Sequence, residues 1–324
     1  MEKASIFTST DILHSGDYLK LEKNHVMNEK VLSLSFMTNG FFTDALVRAG
    51  HGEAIYGGSY IELTATALRV YNYTTEPTLI KEEEHGINIS GSVNLVIRTH
   101  LCTADVTVFS SDNLYVIKGV SWSGRNGEIF ATAVGTDIFE PRMRWHSFAY
   151  EHDVWVLGDS YLNSGAKARW PYYLKENGYT RYLLLGYPGR NSTAGIADFK
   201  QALLHGTPKY AVWCLGMNDT DIDNAISQSY KNAVDEFLDI CKEKSITPIL
   251  STIPCTPKVE NLYKNEWVRA SGYRYVDFAR AVGAINSLSP WTRGMLSSDN
   301  IHPAELGAKA LYAQFIADFP EILK

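Results

Sequence analysis

The stretch "VWVLGDSYLNSG", Val154 to Gly165, runs five mostly apolar residues into a Gly-Asp-Ser corner. Two readings compete for it. Gly, Asp and Ser are the residues that turns prefer for backbone reasons alone. The alternative is a nucleophile presented at a strand-to-helix corner.

Downstream of this stretch the pattern alternates. Helix-like "SGAKARWPYYLKENG" is followed by the strand "RYLLLGY", a segment around "AGIADFKQALLHG", and the strand "KYAVWCLG". The segment "DIDNAISQSYKNAVDEFLDICKEKS" reads as a helix, with Ile222, Ile226, Tyr230, Val234, Phe237 and Cys241 in one stripe at spacings of three and four. "ITPILSTIP", a helical "PKVENLYKNEWVRASG", "YRYVDFA" and a last helix starting at Pro303 complete the series. Apolar strands alternating with helices predict a parallel sheet covered on both faces. Ligands of such sheets bind outside the carboxyl ends of the strands.

Upstream, from about Val31 to Ile138, the period is two. "VLSLSFMTN", "SYIELTATALRVYNY", "SVNLVIRTHL", "ADVTVFSS" and "LYVIKGVSW" are rich in β-branched and aromatic residues. Asn126-Gly127, between "VSWSGR" and "EIFATAV", signals a two-residue hairpin. An antiparallel, jelly-roll-like β-sandwich is expected for residues 1–150 and an α/β domain for 151–324. A length of 324 residues suits two domains of roughly 150 each.

Composition is that of an ordinary globular protein, with 45% hydrophobic and 20% charged residues. A net charge of −6 without a basic cluster argues against nucleic acid as a partner. The run "KEEEHG", Lys81 to Gly86, reads as a solvated loop. Cys102, Cys214, Cys241 and Cys255 lack CxxC spacing and sit among apolar residues, so buried free thiols are expected, with neither a disulfide framework nor a metal site. No apolar run approaches the roughly 18 residues of a membrane span. The start "MEKASIFTST" lacks the signature of a signal peptide. The sequence as it stands reads as cytoplasmic, and as secreted if a signal peptide has been removed.

The strand-end rule confines the search for chemistry to a few loops. One strand ends at Ser160, the next at Pro188-Gly189-Arg190-Asn191, and the third at Gly216-Met217-Asn218-Asp219. A serine hydroxyl needs a base to take its proton. Of the nine histidines, His302 stands apart, on a loop before the last helix with Asp299 three residues earlier. That spacing lets the carboxylate accept Nδ1–H and leaves Nε2 as a base. An Asp-initiated turn leading to a capped helix explains the same residues without chemistry. The Ser160 N–H at the start of a helix, the Gly189 N–H and the Asn218 amide are candidate donors to an oxyanion.

These residues, "GDS" at 158–160, the glycine in "YPGRNS" at 187–192, "GMND" at 216–219 and "DNIH" at 299–302, stand in the order of the four marker blocks of the SGNH (GDSL) hydrolases. The chain resembles that family over about half its length, from roughly Asp153 to Lys324. The resemblance implies a flavodoxin-like α/β/α domain and an acyl-enzyme mechanism without metal or organic cofactor. Carried over by position, it implies Ser160 as nucleophile, His302 as general base and Asp299 as its orienting carboxylate. Ser160 N–H, Gly189 N–H and Asn218 would form the oxyanion hole. Two departures stand out: Tyr161 occupies the position of the usual leucine, and Gly186 competes with Gly189 for the second block.

A strand-rich half before such a domain is similar in architecture to two-domain carbohydrate esterases. Tyr161, Tyr187, Arg190 and Trp291 lie near the marker blocks and are candidate substrate contacts. Aromatics there, with Trp170 and Tyr172, serve equally well as core. Three functions follow as alternatives. They are an esterase removing a small acyl group, acetyl foremost, from a carbohydrate or small-molecule ester, a lysophospholipase or thioesterase on longer chains, and a glycan-binding protein with a structural hydrolase half. A homo-oligomer stays open.

Overall fold

The computed structural model of the chain describes residues 5–25, 30–53, 57–73, 76–100, 103–123, 127–147, 152–162, 167–179, 181–219, 221, 225–286 and 290–323. The backbone divides into two compact units, Met1–Phe148 and Ala149–Lys324.

The first unit contains β1 (Ser5–Ser9), β2 (Ile12–Leu13), β3 (Tyr18–His25), β4 (Lys30–Thr38), β5 (Leu46–Glu53), β6 (Gly57–Thr64), β7 (Ala67–Tyr73) and β8 (Pro77–Glu84). It continues with β9 (Gly91–His100), β10 (Thr103–Ser110), β11 (Asn113–Ser121), β12 (Gly127–Val134) and β13 (Ile138–Ser147). They form two antiparallel sheets, ordered β1-β13-β4-β9-β10-β11 with β2 beside β13, and β3-β12-β5-β6-β7-β8. Alternation buries one face of the central strands: Leu32, Leu34 and Phe36 of β4 and Val47 and Ala49 of β5 join a single hydrophobic cluster.

Strands begin well before Val31, at Ser5, and continue past Ile138 to Ser147. "SYIELTATALRVYNY" is a hairpin of two strands, turned where the Thr64 hydroxyl accepts the Ala67 N–H (2.9 Å). The hairpin expected at Asn126-Gly127 does not form between β11 and β12, which lie in different sheets. Trp122, 1% exposed, leads the chain from one sheet toward the other, and Asn126 itself lies outside the described residues. Lys81 to Glu84 is no loop but the end of edge strand β8, where exposed charges disfavour pairing with another chain.

The second unit contains β14 (Val154–Gly158), a single 3-10 turn at Ser160–Leu162, α1 (Pro171–Glu176), β15 (Tyr182–Gly186), α2 (Ser192–Leu203), β16 (Tyr210–Cys214) and α3 (Gln228–Glu243). β17 (Thr247–Ser251), α4 (Leu262–Ala270), β18 (Tyr275–Val276), α5 (Phe278–Ala281) and α6 (Glu305–Asp318) follow. The five strands are all parallel, in the order β15-β14-β16-β17-β18. Numbered within the sheet this is 2-1-3-4-5, the flavodoxin-like order. Every residue of β14 and β15 is buried, as strands covered on both faces require. Phe199 of α2 and Phe237 of α3 pack on Trp155 and Trp213 on one face. On the other, Phe319 after α6 packs on Tyr210, and Phe315 stacks on Phe278 and lies tilted against Trp170. Burying a ring of this size contributes roughly 2–3 kcal/mol.

Two helix starts differ from the sequence expectation. α3 begins at Gln228 because the Ser227 hydroxyl accepts the Tyr230 N–H and caps it there, so Ile226 lies outside the helix and Ile222 outside the described residues. Pro303 does not open the last helix. It bridges to Leu296, flanked by Ser297 N–H to His302 C=O (2.9 Å) and Ala304 N–H to Met295 C=O (2.7 Å), and α6 starts at Glu305.

Candidate active site

The sheet reverses its strand order between β14 and β16, which places a crevice at their carboxyl ends. β14 ends in Gly158, and the Ser160–Leu162 turn follows, closed by Leu162 N–H to Asp159 C=O (3.0 Å). This single turn is too short to carry a helix dipole, so a Ser160 N–H donor would act as one amide and not as a helix terminus.

Leu162 wedges the turn against two strands. A Cβ at Gly158 would lie 2.5 Å from Leu162 Cδ1, and one at Gly186 2.4 Å from Leu162 Cβ. Gly186 is therefore a packing glycine. Gly189 has open space around it and a φ of +74°. Arg190 N–H donates to Tyr187 C=O (3.2 Å), closing a turn with Pro188 and Gly189 at its centre, the residues a type II turn prefers.

Ser160 Oγ lies 2.8 Å from His302 Nε2, across 142 residues of chain. His302 Nδ1 lies 2.7 Å from Asp299 Oδ2. The other oxygen, Oδ1, accepts the N–H groups of Ile301 (2.8 Å) and His302 (2.9 Å) and the Ser297 hydroxyl (2.7 Å). Desolvation acts to raise the Asp299 carboxyl. The hydrogen bonds from Ser297, His302 and Ile301 together outweigh it and hold the group well below the usual carboxylate range. Asp299 is thus an anion facing the imidazole.

Three side chains brace this row. The Tyr161 hydroxyl donates to Ile301 C=O (2.5 Å), with its ring centroid 5.8 Å from that of His302. Arg169 Nε donates to the Ser160 carbonyl (2.9 Å). Asp159, 1% exposed, accepts the Tyr161 N–H (3.0 Å). Burial pushes the Asp159 carboxyl up to about 7, against that hydrogen bond and with help from the Asp219 charge. Arg169 was invisible in the sequence because its partner is a backbone carbonyl. Tyr161 stood out there at the usual leucine position and as a candidate substrate contact, with no sign of the carbonyl it serves.

Asn218 Nδ2 donates to Arg190 C=O (2.9 Å), joining the loop after β16 to the loop after β15. The Asp219 carboxylate accepts the Ser192 N–H (3.0 Å) and hydroxyl (2.6 Å) and ties the same two loops deeper down. The candidate substrate contacts are largely committed elsewhere. Tyr187 is 1% exposed and lies beneath the Arg190 guanidinium, which pairs with Asp198 (2.9 Å). Trp291 is buried and donates from Nε1 to Cys255 C=O (2.7 Å). Trp170 is buried as well, and Tyr161 serves the His302 loop.

Among the described residues no group of three or more His, Cys, Asp or Glu side chains is arranged to hold a metal ion, and no helix is long and apolar enough to cross a membrane. Cys214, Cys241 and Cys255 are free thiols, each pushed up to about 12 by desolvation; Cys102 lies outside the described residues.

A parallel sheet in flavodoxin-like order, covered by helices and carrying a Ser-His-Asp row at its switch point, defines an α/β/α layer domain of hydrolase type. Residues 156–310 match the family described as GDSL-like Lipase/Acylhydrolase. Solved structures to which the chain is similar include a protein assigned to the G-D-S-L lipolytic family from Desulfitobacterium hafniense DCB-2. It is 16% identical, with a TM-score of 0.43 over 51% of this chain and 98% of that one. A GDSL-like lipase from Bacteroides thetaiotaomicron VPI-5482 is 16% identical, with a TM-score of 0.42 over 53% and 89%. A lipase/acylhydrolase from Enterococcus faecalis is 19% identical, with a TM-score of 0.39 over 52% and 96%. No curated protein sequence matches the chain.

Proposed function

We propose that the protein is a serine esterase that removes a small acyl group, acetyl foremost, from a carbohydrate. The observation that carries the chemistry is the unbroken row from Ser160 Oγ through the His302 ring to the anionic Asp299. With Nδ1–H directed at Asp299, Nε2 accepts the Ser160 proton as Oγ attacks the acyl carbonyl. The oxyanion that forms is met by the N–H groups of Ser160 and Gly189 and by Asn218. That amide has two N–H bonds, and Arg190 C=O takes one of them, leaving one for the oxyanion. His302 returns the proton to the departing alkoxide oxygen, which leaves as an alcohol. His302 next takes a proton from the water that attacks the acyl-serine and gives it to Ser160 Oγ as the carboxylic acid leaves, restoring the free serine.

The short acyl group is supported by what surrounds Ser160. Among the described residues, none of the exposed large hydrophobic side chains falls in 187–192, 216–219 or 297–302. The carbohydrate is supported by the separate strand-rich unit, an arrangement similar to that of two-domain carbohydrate esterases.

The test is a panel of acetyl, butyryl and decanoyl esters with acetylated sugars, run on the wild type and on Ser160→Ala. Acetyl esters should turn over fastest, and Ser160→Ala should abolish turnover while its thermal unfolding stays cooperative. Undiminished turnover by Ser160→Ala would remove the mechanism. A preference for decanoyl esters would move the substrate to long-chain lipids or thioesters.

A further inference from the structure

Beneath the loop that carries Asn218 lies a lysine with no exposed surface. Lys264, on α4, directs its ammonium at Asp219 C=O (2.7 Å), Asn261 Oδ1 (3.1 Å) and Asp221 Oδ1 (3.0 Å), and over the Tyr230 ring at 5.6 Å. Three N–H bonds meet three acceptors, so the charge is fully satisfied. Asn261, just before α4, extends the grip: its Nδ2 lies 3.8 Å from Met217 Sδ and 3.3 Å from Pro254 C=O. Residues 217, 219 and 221 are thereby held from below at alternate positions. Asp219 is held from the side as well, through Ser192. Asn218, between them, is exposed and turned toward Arg190 C=O.

A buried ion pair is a costly way to fill space, and well-packed apolar residues of similar volume are often as stable or more so. What an ammonium adds is direction toward three acceptors at once. We infer that Lys264 is a positioning residue for Asn218, clamping the 216–221 loop so that the amide is aimed at the developing oxyanion before substrate arrives. The inference rests on the proposed role of Asn218.

Pre-organised donors lower the barrier without tightening ground-state binding, so loss of the clamp should appear in kcat. Lys264→Met alone leaves the Asp221 carboxylate buried with no cation beside it, so Lys264→Met/Asp221→Asn, which removes both members of the ion pair, is measured beside it. On an acetyl ester the paired variant should unfold cooperatively, keep KM within about two-fold and lose roughly 10- to 100-fold in kcat, no more than loss of the donor itself. In an Asn218→Ala background the same pair of changes should cost nothing further, because the group it positions is gone. A wild-type kcat, or a loss that persists in full without Asn218, would overturn the clamp while leaving the esterase reading intact. An Asn218→Ala variant as fast as wild type would overturn the oxyanion role and the clamp with it.

Discussion

Asp159 precedes the candidate nucleophile and is almost fully buried, and burial pushes its carboxyl up to about 7. Between about pH 4, where the unfolded chain releases this proton, and about pH 7, the folded protein holds a proton that the unfolded chain does not. Stability therefore falls as pH rises through that window, and the full cost of the buried charge is present above it. Asp159→Asn retains an oxygen to accept the Tyr161 N–H and removes the titration. Its advantage over wild type in urea unfolding should be small near pH 4 and grow to a plateau above about pH 7. Parallel pH dependences for the two proteins would show that Asp159 is not the titrating group. At this scale the candidate site was legible in the row Ser160, His302 and Asp299, which residue type and order singled out and which the structure brings together. It was illegible where a side chain serves a distant carbonyl: Tyr161 and Ile301 lie 140 positions apart.

Among elements, α2 joins local folding to the site most directly. Its N-cap, Asn191, accepts the Ala194 N–H at 3.0 Å and ends the loop that holds Gly189. Asn191→Ala should cost about 1 kcal/mol in denaturant unfolding, and Asn191→Ser should recover most of it. Equal stabilities for all three would mean that the Asp219 bonds to Ser192 and the packing of Phe199 fix the helix start without the cap. The strands of the parallel sheet were readable because burial on both faces leaves continuous apolar runs, as in "YLLLG". Helix starts were not, because a cap competes with periodicity. Ile226 continues the stripe of α3, yet Ser227 stops the helix, and Pro303 suits a first helical position but pairs with Leu296 instead. Asn126-Gly127 misled for a related reason: a hairpin signal records local turn preference, and the sheets on either side of it are different.

At the scale of the whole molecule, the chain divides into two compact units. Among the described residues, the apolar cluster of the first runs from Leu13 to Trp145. We propose that the two units are independent domains. Expressed alone, 1–148 and 149–324 should each unfold in one cooperative transition by calorimetry, and the latter should retain turnover of a small acetyl ester. Failure of either piece to fold would make the chain a single cooperative body. The expectation of two domains rests on a change of period in the sequence, which depends only on which residues face a core. The order of strands within each sheet was not, since pairing partners such as β4 and β9 are chosen over long separations.

Leu162, wedged between Gly158 and Gly186, bears on which substitutions the nucleophile turn can accumulate, and in what order. Gly158→Ala collides with the end of the leucine side chain, so a prior Leu162→Ala opens the way for it. Gly186→Ala collides with Cβ, which every residue but glycine keeps, so no trimming at 162 short of glycine rescues it. The pair 158/162 should show strong positive epistasis in stability and 186/162 almost none. The first position can thus drift once its neighbour has changed, and the second is closed to drift.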